Sequence, residues 1–554
     1  MFMYLKNLYE NELYSAVSQL ALVILSEPNH RTTMPADQYF LTLCYHGYSL
    51  YEEHHYNTAE EILQNALLVR KTFMKAKANV PMGEPGVNHF SEVELRYKLA
   101  LCYKATKQLS EAIATLQIIP TKSRSSKVNM LMFQLIQLNG LNYDKSAILP
   151  LKAVLKECPM NLEAITGLAK LGLKPAEILL CIGDSISPSN RQWLGHFIEA
   201  QYKIHATQFL PAVESLKMIE ANNEMILVLI GQCYFYAGNP EAAVTYLTRA
   251  HQISKYMKDG LVTLAAVYGS LDRLEDLEKM TPPNLCLTEN TSEYWFILAQ
   301  FVYTLGKHEK ALYFSQRSLN LNPNNNIEAS ILKAKVFHKT KKYKEALNLL
   351  RILENRAAYR FEIYELYVDI YTATNRFREA QLISRRIFKQ QGAHLTARSF
   401  VLAAKTYFSQ SDPQIKAKSK PLLESALTKD PYCLQAVFLL VDLLLELGDS
   451  AGAIKLIKKQ CAIKPNAKLY AILGDILSKE KNQMKAVESY TMAIKMDPMN
   501  QRANTGLMAL GQSSQAPDES NHRAYEFDEM LEVPTNAPEA ESDEPWSDFE
   551  IESR

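Results

Sequence analysis

Residues 467–498, AKLYAILGDILSKEKNQMKAVESYTMAIKMDP, set their apolar and small side chains in two stripes. Tyr470, Leu473, Gly474 and Leu477 recur three and four residues apart, and after the polar run KEKNQ the residues Ala486, Tyr490 and Ala493 do the same. That spacing puts each set on one face of a helix. Pro498 cannot extend the second helix, so it marks the end of the unit. The pattern predicts two antiparallel helices joined by a short polar turn.

Used as a ruler, the unit fits most of the upstream chain. It finds Gly448, Ala453 and Pro465; Ala404, Tyr407, Ala426 and Pro431; Tyr371, Phe377 and Ala380; Ala334, Tyr343 and Ala346; and Trp295, Leu298, Ala299, Gly306, Ala311 and Pro323. Further back come Gly231, Tyr234, Gly238, Ala243 and Ala250, then Ala100, Tyr103 and Ala112, then Gly47, Tyr56, Ala59 and Ala66. A first unit starts inside its opening helix and ends at Pro28. One small residue of the second helix recurs as Ala311, Ala346, Ala380, Ala417, Ala453 and Ala486, at spacings of 35, 34, 37, 36 and 33. A period of about 34 with these residue types is the tetratricopeptide (TPR) pattern.

The residue types have a packing reason. Small residues stand where the two helices touch, and a larger side chain would overpack the contact by roughly 1–3 kcal/mol. The expected packing set is Gly47, Ala59, Ala100, Ala112, Gly231, Ala243, Ala299, Ala311, Ala346, Ala380, Ala453, Gly474 and Ala486. Each unit buries its apolar face only against its neighbours. The expectation is therefore an all-α right-handed superhelix, an α-solenoid of about 12–14 helix pairs.

The array has breaks. Residues 75–92 hold Pro81, Gly83, Pro85 and Gly86 without helical period and read as a mobile loop. Residues 161–192 hold a degenerate unit with Pro175 and Pro188, and TPPN at 281–284 marks another irregular junction. The blocks expected are an N-terminal array (1–160), a central array with degenerate units (161–290), a regular C-terminal array (291–510) and a tail (511–554).

Charge changes the picture only at the tail. The 554 residues carry 61 Lys and Arg against 60 Asp and Glu, but residues 511–554 hold 13 acidic and 2 basic ones. The remainder is thus mildly basic, 59 against 47, and too diffuse for a nucleic-acid footprint. The tail reads as disordered. The eight cysteines show no CxxC pair, and Cys44, Cys102 and Cys233 fall inside first-helix patterns as buried thiols, consistent with a reducing intracellular compartment. The N-terminus lacks a signal-peptide layout and the run LALVILS is too short to span a bilayer.

Catalytic motifs are missing: the sequence has no Walker loop, dinucleotide fingerprint, GxSxG or HExxH. His54 and His55 are adjacent, do not share a helix face, and read as a solvated turn. No enzyme, metal or cofactor is expected. The expected site is the concave first-helix face of the C-terminal array. In register it carries Phe296, Gln300 and Tyr303; Ile331, Lys335 and His338; Glu365 and Asp369; Val401, Lys405 and Phe408; and Phe438 and Asp442. Apolar groups among charges suit an extended or helical partner peptide. No repeat places Lys with Asn as a chaperone carboxylate clamp requires.

SEVELRYKLALCYKATKQLSEAIATLQIIP followed by KVNML, the ending GDILSKEKNQMKAVESYTMAIKMDPMNQ, the Pro/Gly loop before SEVEL and the acidic tail with Trp546 resemble the subunit-seven family of TPR proteins of the anaphase-promoting complex, animal type. The resemblance runs nearly end to end and is weakest over 160–290. It implies a non-catalytic scaffold in a ubiquitin ligase of the cell cycle, in nucleus and cytoplasm. It also implies a homodimer through residues 1–160, and partners among sibling TPR subunits, coactivator or small-subunit peptides, with neither nucleic acid nor membrane involved. The alternative is a TPR scaffold of another assembly, such as a transport or ciliary one.

Overall fold

The computed structural model describes residues 1–26, 34–76, 90–139, 145–183, 186–219, 223–254, 258–281, 291–322, 326–391 and 395–511. The described residues form α-helix and short 3-10 turns, with no strand among them. Among the described residues the α-helices fall into fourteen successive pairs, one of them interrupted by the short extra helix Pro413–Ala417, and a last single helix, Gln501–Ala509, within the expected range. The chain divides into two compact units, Met1–Leu271 and Asp272–Arg554, a boundary inside the expected central block.

The pairs that carry the packing set are built the same way. The small residues of the packing set lie at its centre: Ala59, Ala100, Ala112, Ala243, Ala299, Ala311, Ala346, Ala380, Ala453 and Ala486 are all fully buried. The glycines seat a particular side chain of the second helix. A Cβ on Gly47 would come within 2.8 Å of Leu63, one on Gly231 within 2.5 Å of Leu247, and one on Gly474 within 2.5 Å of Tyr490. Gly474 therefore makes room for Tyr490 rather than for Ala486, one helical turn away. Tyr490 is gripped from both sides, because Gly506 of the last helix also leaves room for its ring. Its hydroxyl donates to Asp475 Oδ1 at 2.6 Å.

The turn between paired helices needs a left-handed residue. Gly238, Gly306 and Gly448 supply it at φ 90°, 79° and 80°. His54, Thr207, Lys341 and Lys481 stand there without that freedom. Caps stop and start the helices: Asn326, Asn466 and Asn500 each accept a backbone N–H of the first turn. Pro175 and Pro188 open helices Pro175–Ile182 and Pro188–His205, where a missing N–H costs nothing.

Two expectations change. Ala417 is exposed at the end of a short helix, Pro413–Ala417, which breaks at Lys418. Fully buried Ser419 takes the small-residue place instead, because an inserted Asp412-capped turn lengthens this unit. In the expected loop 75–92, the helix Tyr56–Ala76 occupies the first edge and Phe90 is buried at the other. Residues 77–89 lie outside the described residues, as do Pro28, Pro323, Cys286, the tail from 512 and the prolines of TPPN.

Candidate functional site

The expected groove lies in the second unit, on the first helices Ser292–Thr304, Ile327–Lys339, Phe361–Ala373, Ala397–Phe408 and Leu434–Glu446. Successive first helices touch. Their contact consumes part of the expected surface. Phe296 is 1% exposed and Ile331 2%, and Gln300 and Val401 are also buried. Ile331 joins the core around Leu350 and Tyr367, and Val401 the core around Val437 and Leu440. These four were expected to face solvent and do not, whereas Glu365 and Phe438, in the register of Phe296, stay partly exposed.

The charged members are brought together, though largely with each other. Lys405 pairs with Asp369 of the preceding repeat. Glu365 accepts from Arg398 at 3.1 Å. His338 lies in the field of both Asp369 and Lys405, and burial pulls its pKa down. Behind them runs a second row that the motif register missed. Arg360, 1% exposed, binds both carboxylate oxygens of Glu328 and reaches Glu362 Oε2 at 3.2 Å. Arg398 also stacks over Phe361, 4.8 Å from the ring centre. Burial alone would raise the Glu362 carboxyl, but Arg360 and Arg398 outweigh it and hold the pKa down at about 2, with Lys335 adding to the effect.

The result is an ionic seam through three consecutive repeats. Its partners are 32, 33 and 36 residues apart, close to one repeat length. Opposite charges one period apart were therefore the available signal. Tyr303, Lys335, His338, Phe408 and Phe438 remain partly exposed and Asp442 is exposed. Lys416 lies 5.4 Å over the Phe408 ring.

Among the described residues no group of three His, Cys, Asp or Glu could hold a metal ion. Cys44, Cys102 and Cys233 are buried as expected. Burial pushes Cys102 and Cys233 up to about 12 and Cys44 higher still, so none is a thiolate near neutrality. His54 sits in its turn at φ 66°, with Nδ1 2.8 Å from the Tyr56 hydroxyl. No helix among the described residues is long and apolar enough to cross a membrane.

Comparison with known proteins agrees with this architecture. Residues 283–352 match the family described as anaphase-promoting complex, cyclosome, subunit 3, and residues 94–126 and 467–500 match tetratricopeptide repeats. Anaphase-promoting complex subunit 7 of Homo sapiens is 28% identical over 520 residues, covering 91% of each chain. The Arabidopsis thaliana subunit 7 is 22% identical, covering 90% of this chain and 92% of its own. The solved structure described as the APC/C hetero-tetramer Cut9–Hcn1 superposes with a TM-score of 0.56 at 14% identity, over 92% of this chain and 96% of that one. The chain is a tetratricopeptide-repeat protein whose sequence is similar, nearly end to end, to subunit 7 of the anaphase-promoting complex.

Proposed function

We propose that this chain is a non-catalytic scaffold subunit of a multisubunit ubiquitin ligase of the anaphase-promoting type. One observation carries the reading: the similarity to subunit 7 spans 91% of both chains. A likeness confined to the repeats' packing residues would fit any TPR scaffold. The scaffold holds sibling TPR subunits and partner peptides, and ubiquitin-transfer chemistry belongs to other subunits. Among the expected groove residues, Tyr303, Lys335, His338, Phe408, Phe438 and Asp442 are the reachable ones for a partner.

Homodimerisation through the N-terminal repeats is part of the proposal. Met3, Tyr4, Leu13, Leu22 and Val23 are large apolar residues exposed on or between the first two helices. Exposed apolar residues of that kind suit a self-complementary contact across a two-fold axis. Two tethered copies raise the effective concentration of each weak partner contact.

Affinity purification of the tagged full chain from dividing cells tests the scaffold reading. The cullin and RING subunits of the ligase are expected to co-purify in constant ratio. Their absence, with other TPR partners of a transport or ciliary assembly in their place, would overturn it.

A further inference from the structure

The outer surface of the last two helix pairs carries a basic and methionine-bearing face that no repeat contact uses. The helix Ser450–Ile463, SAGAIKLIKKQCAI, contains no carboxylate. Its Lys455, Lys458 and Lys459 lie three and four residues apart, all exposed, and none forms an ion pair among the described residues. Ile463 on the same helix is exposed as well. On the next second helix, Gln483–Met496, the residues Met484, Met492 and Met496 are exposed at helical spacing. Stacked repeats keep one geometry, so equivalent outer positions of these two helices lie in a row.

The described chain ends at Gly511, just past the last helix, and 43 residues follow it. Within them, 525–533 reads YEFDEMLEV: four carboxylates interleaved with Tyr525, Phe527, Met530, Leu531 and Val533. We propose that this segment of the chain's own tail seats on the Lys455–Lys458–Lys459 and methionine face. Its carboxylates meet the three ammonium groups, and its aromatic and aliphatic groups meet the thioethers, which adapt to irregular partners.

The tether reaches. Tyr525 is fourteen positions beyond Gly511, up to about 46 Å of extended chain. The helix Ser450–Ile463 lies three helices before Gln501–Ala509. At 8–10 Å between packed helices that is at most about 30 Å. Tethering also gives the segment an effective concentration on the order of millimolar, which a free acidic peptide lacks. Glu488 shares the methionine helix's outer side, so contact there is apolar, and the charge contact is with the lysine helix.

Amide NMR of the uniformly labelled full chain tests the proposal. At low salt the resonances of 525–533 are expected to lose most of their intensity relative to 536–554. At about 1 M salt, where the screening length falls to about 3 Å, they should recover. The variant Lys455→Glu/Lys458→Glu/Lys459→Glu, changed only at exposed positions, should show the recovered spectrum at low salt. Equal intensities throughout the tail at low salt would overturn the proposal. So would attenuation that survives the charge reversal, or that vanishes on dilution, the latter marking contact with a second copy.

Discussion

Tyr490 shows how one side chain closes the second unit. Its ring fills the room left by Gly474 and Gly506, and its hydroxyl is spent on Asp475, which also pairs with Arg502. A Gly474→Leu substitution forces that ring out. The expected loss is roughly 1–3 kcal/mol, read as a lower denaturation midpoint. Wild-type stability in that variant would show that the glycine is not there for space. Glu362 governs a different response. Its folded pKa of about 2 lies below the ordinary 4.5, so its pairing stabilises the fold fully above about pH 4.5. That contribution is lost as pH falls from 4.5 toward 2. Glu362→Gln should lower stability at neutral pH and flatten the acid limb of the stability curve; an unchanged acid limb would sink the assignment.

At the scale of elements, the small-residue register was legible and the groove was not. Ala311, Ala346, Ala380, Ala453 and Ala486 could be read from sequence because close helix approach tolerates no other size, whatever surrounds the pair. Ala417 misled because an inserted turn moved the contact to Ser419 while leaving an alanine near the expected spacing. Phe296, Ile331 and Val401 occupy a register whose exposure depends on the next repeat, which a single unit's pattern does not encode. The ionic seam escaped for a related reason: each partner belongs to a different repeat. The seam makes a paired prediction. Arg360→Ala strands Glu328 and Glu362 in the interior and should cost about 3–5 kcal/mol. Replacing all three with apolar residues of similar volume should restore most of it by the same reasoning. Equal losses in both variants, measured by chemical denaturation, would mean that the charges are not the source of the effect.

For the whole molecule, resemblance and exposure point to one design. Repeats account for the described residues up to Gly511, and similarity to subunit 7 covers 91% of the whole chain. Neither composition nor motif spacing singled out the exposed apolar residues on the first two helices, which become visible only in the fold. Leu22→Glu with Val23→Glu should convert a dimer to a monomer in light scattering of the full chain. Helicity should stay unchanged because both side chains are exposed. A mass unaffected by the double substitution would move the dimer contact elsewhere.

The seam from Glu328 to Lys405 also has a mechanical meaning. A solenoid held only by apolar contact can peel from its end one repeat at a time, since each repeat leans on its neighbours alone. Here Glu328, Arg360, Glu362, Glu365, Arg398, Asp369 and Lys405 link three repeats, and separating the buried Arg360 from Glu328 and Glu362 would strand a charge. Peeling from the C-terminal end would pass Tyr490 and the half-exposed Lys405 pair before it meets the buried Arg360. The seam thus places its most buried charges, Arg360 with Glu328 and Glu362, at the step where peeling from the C-terminal end costs most.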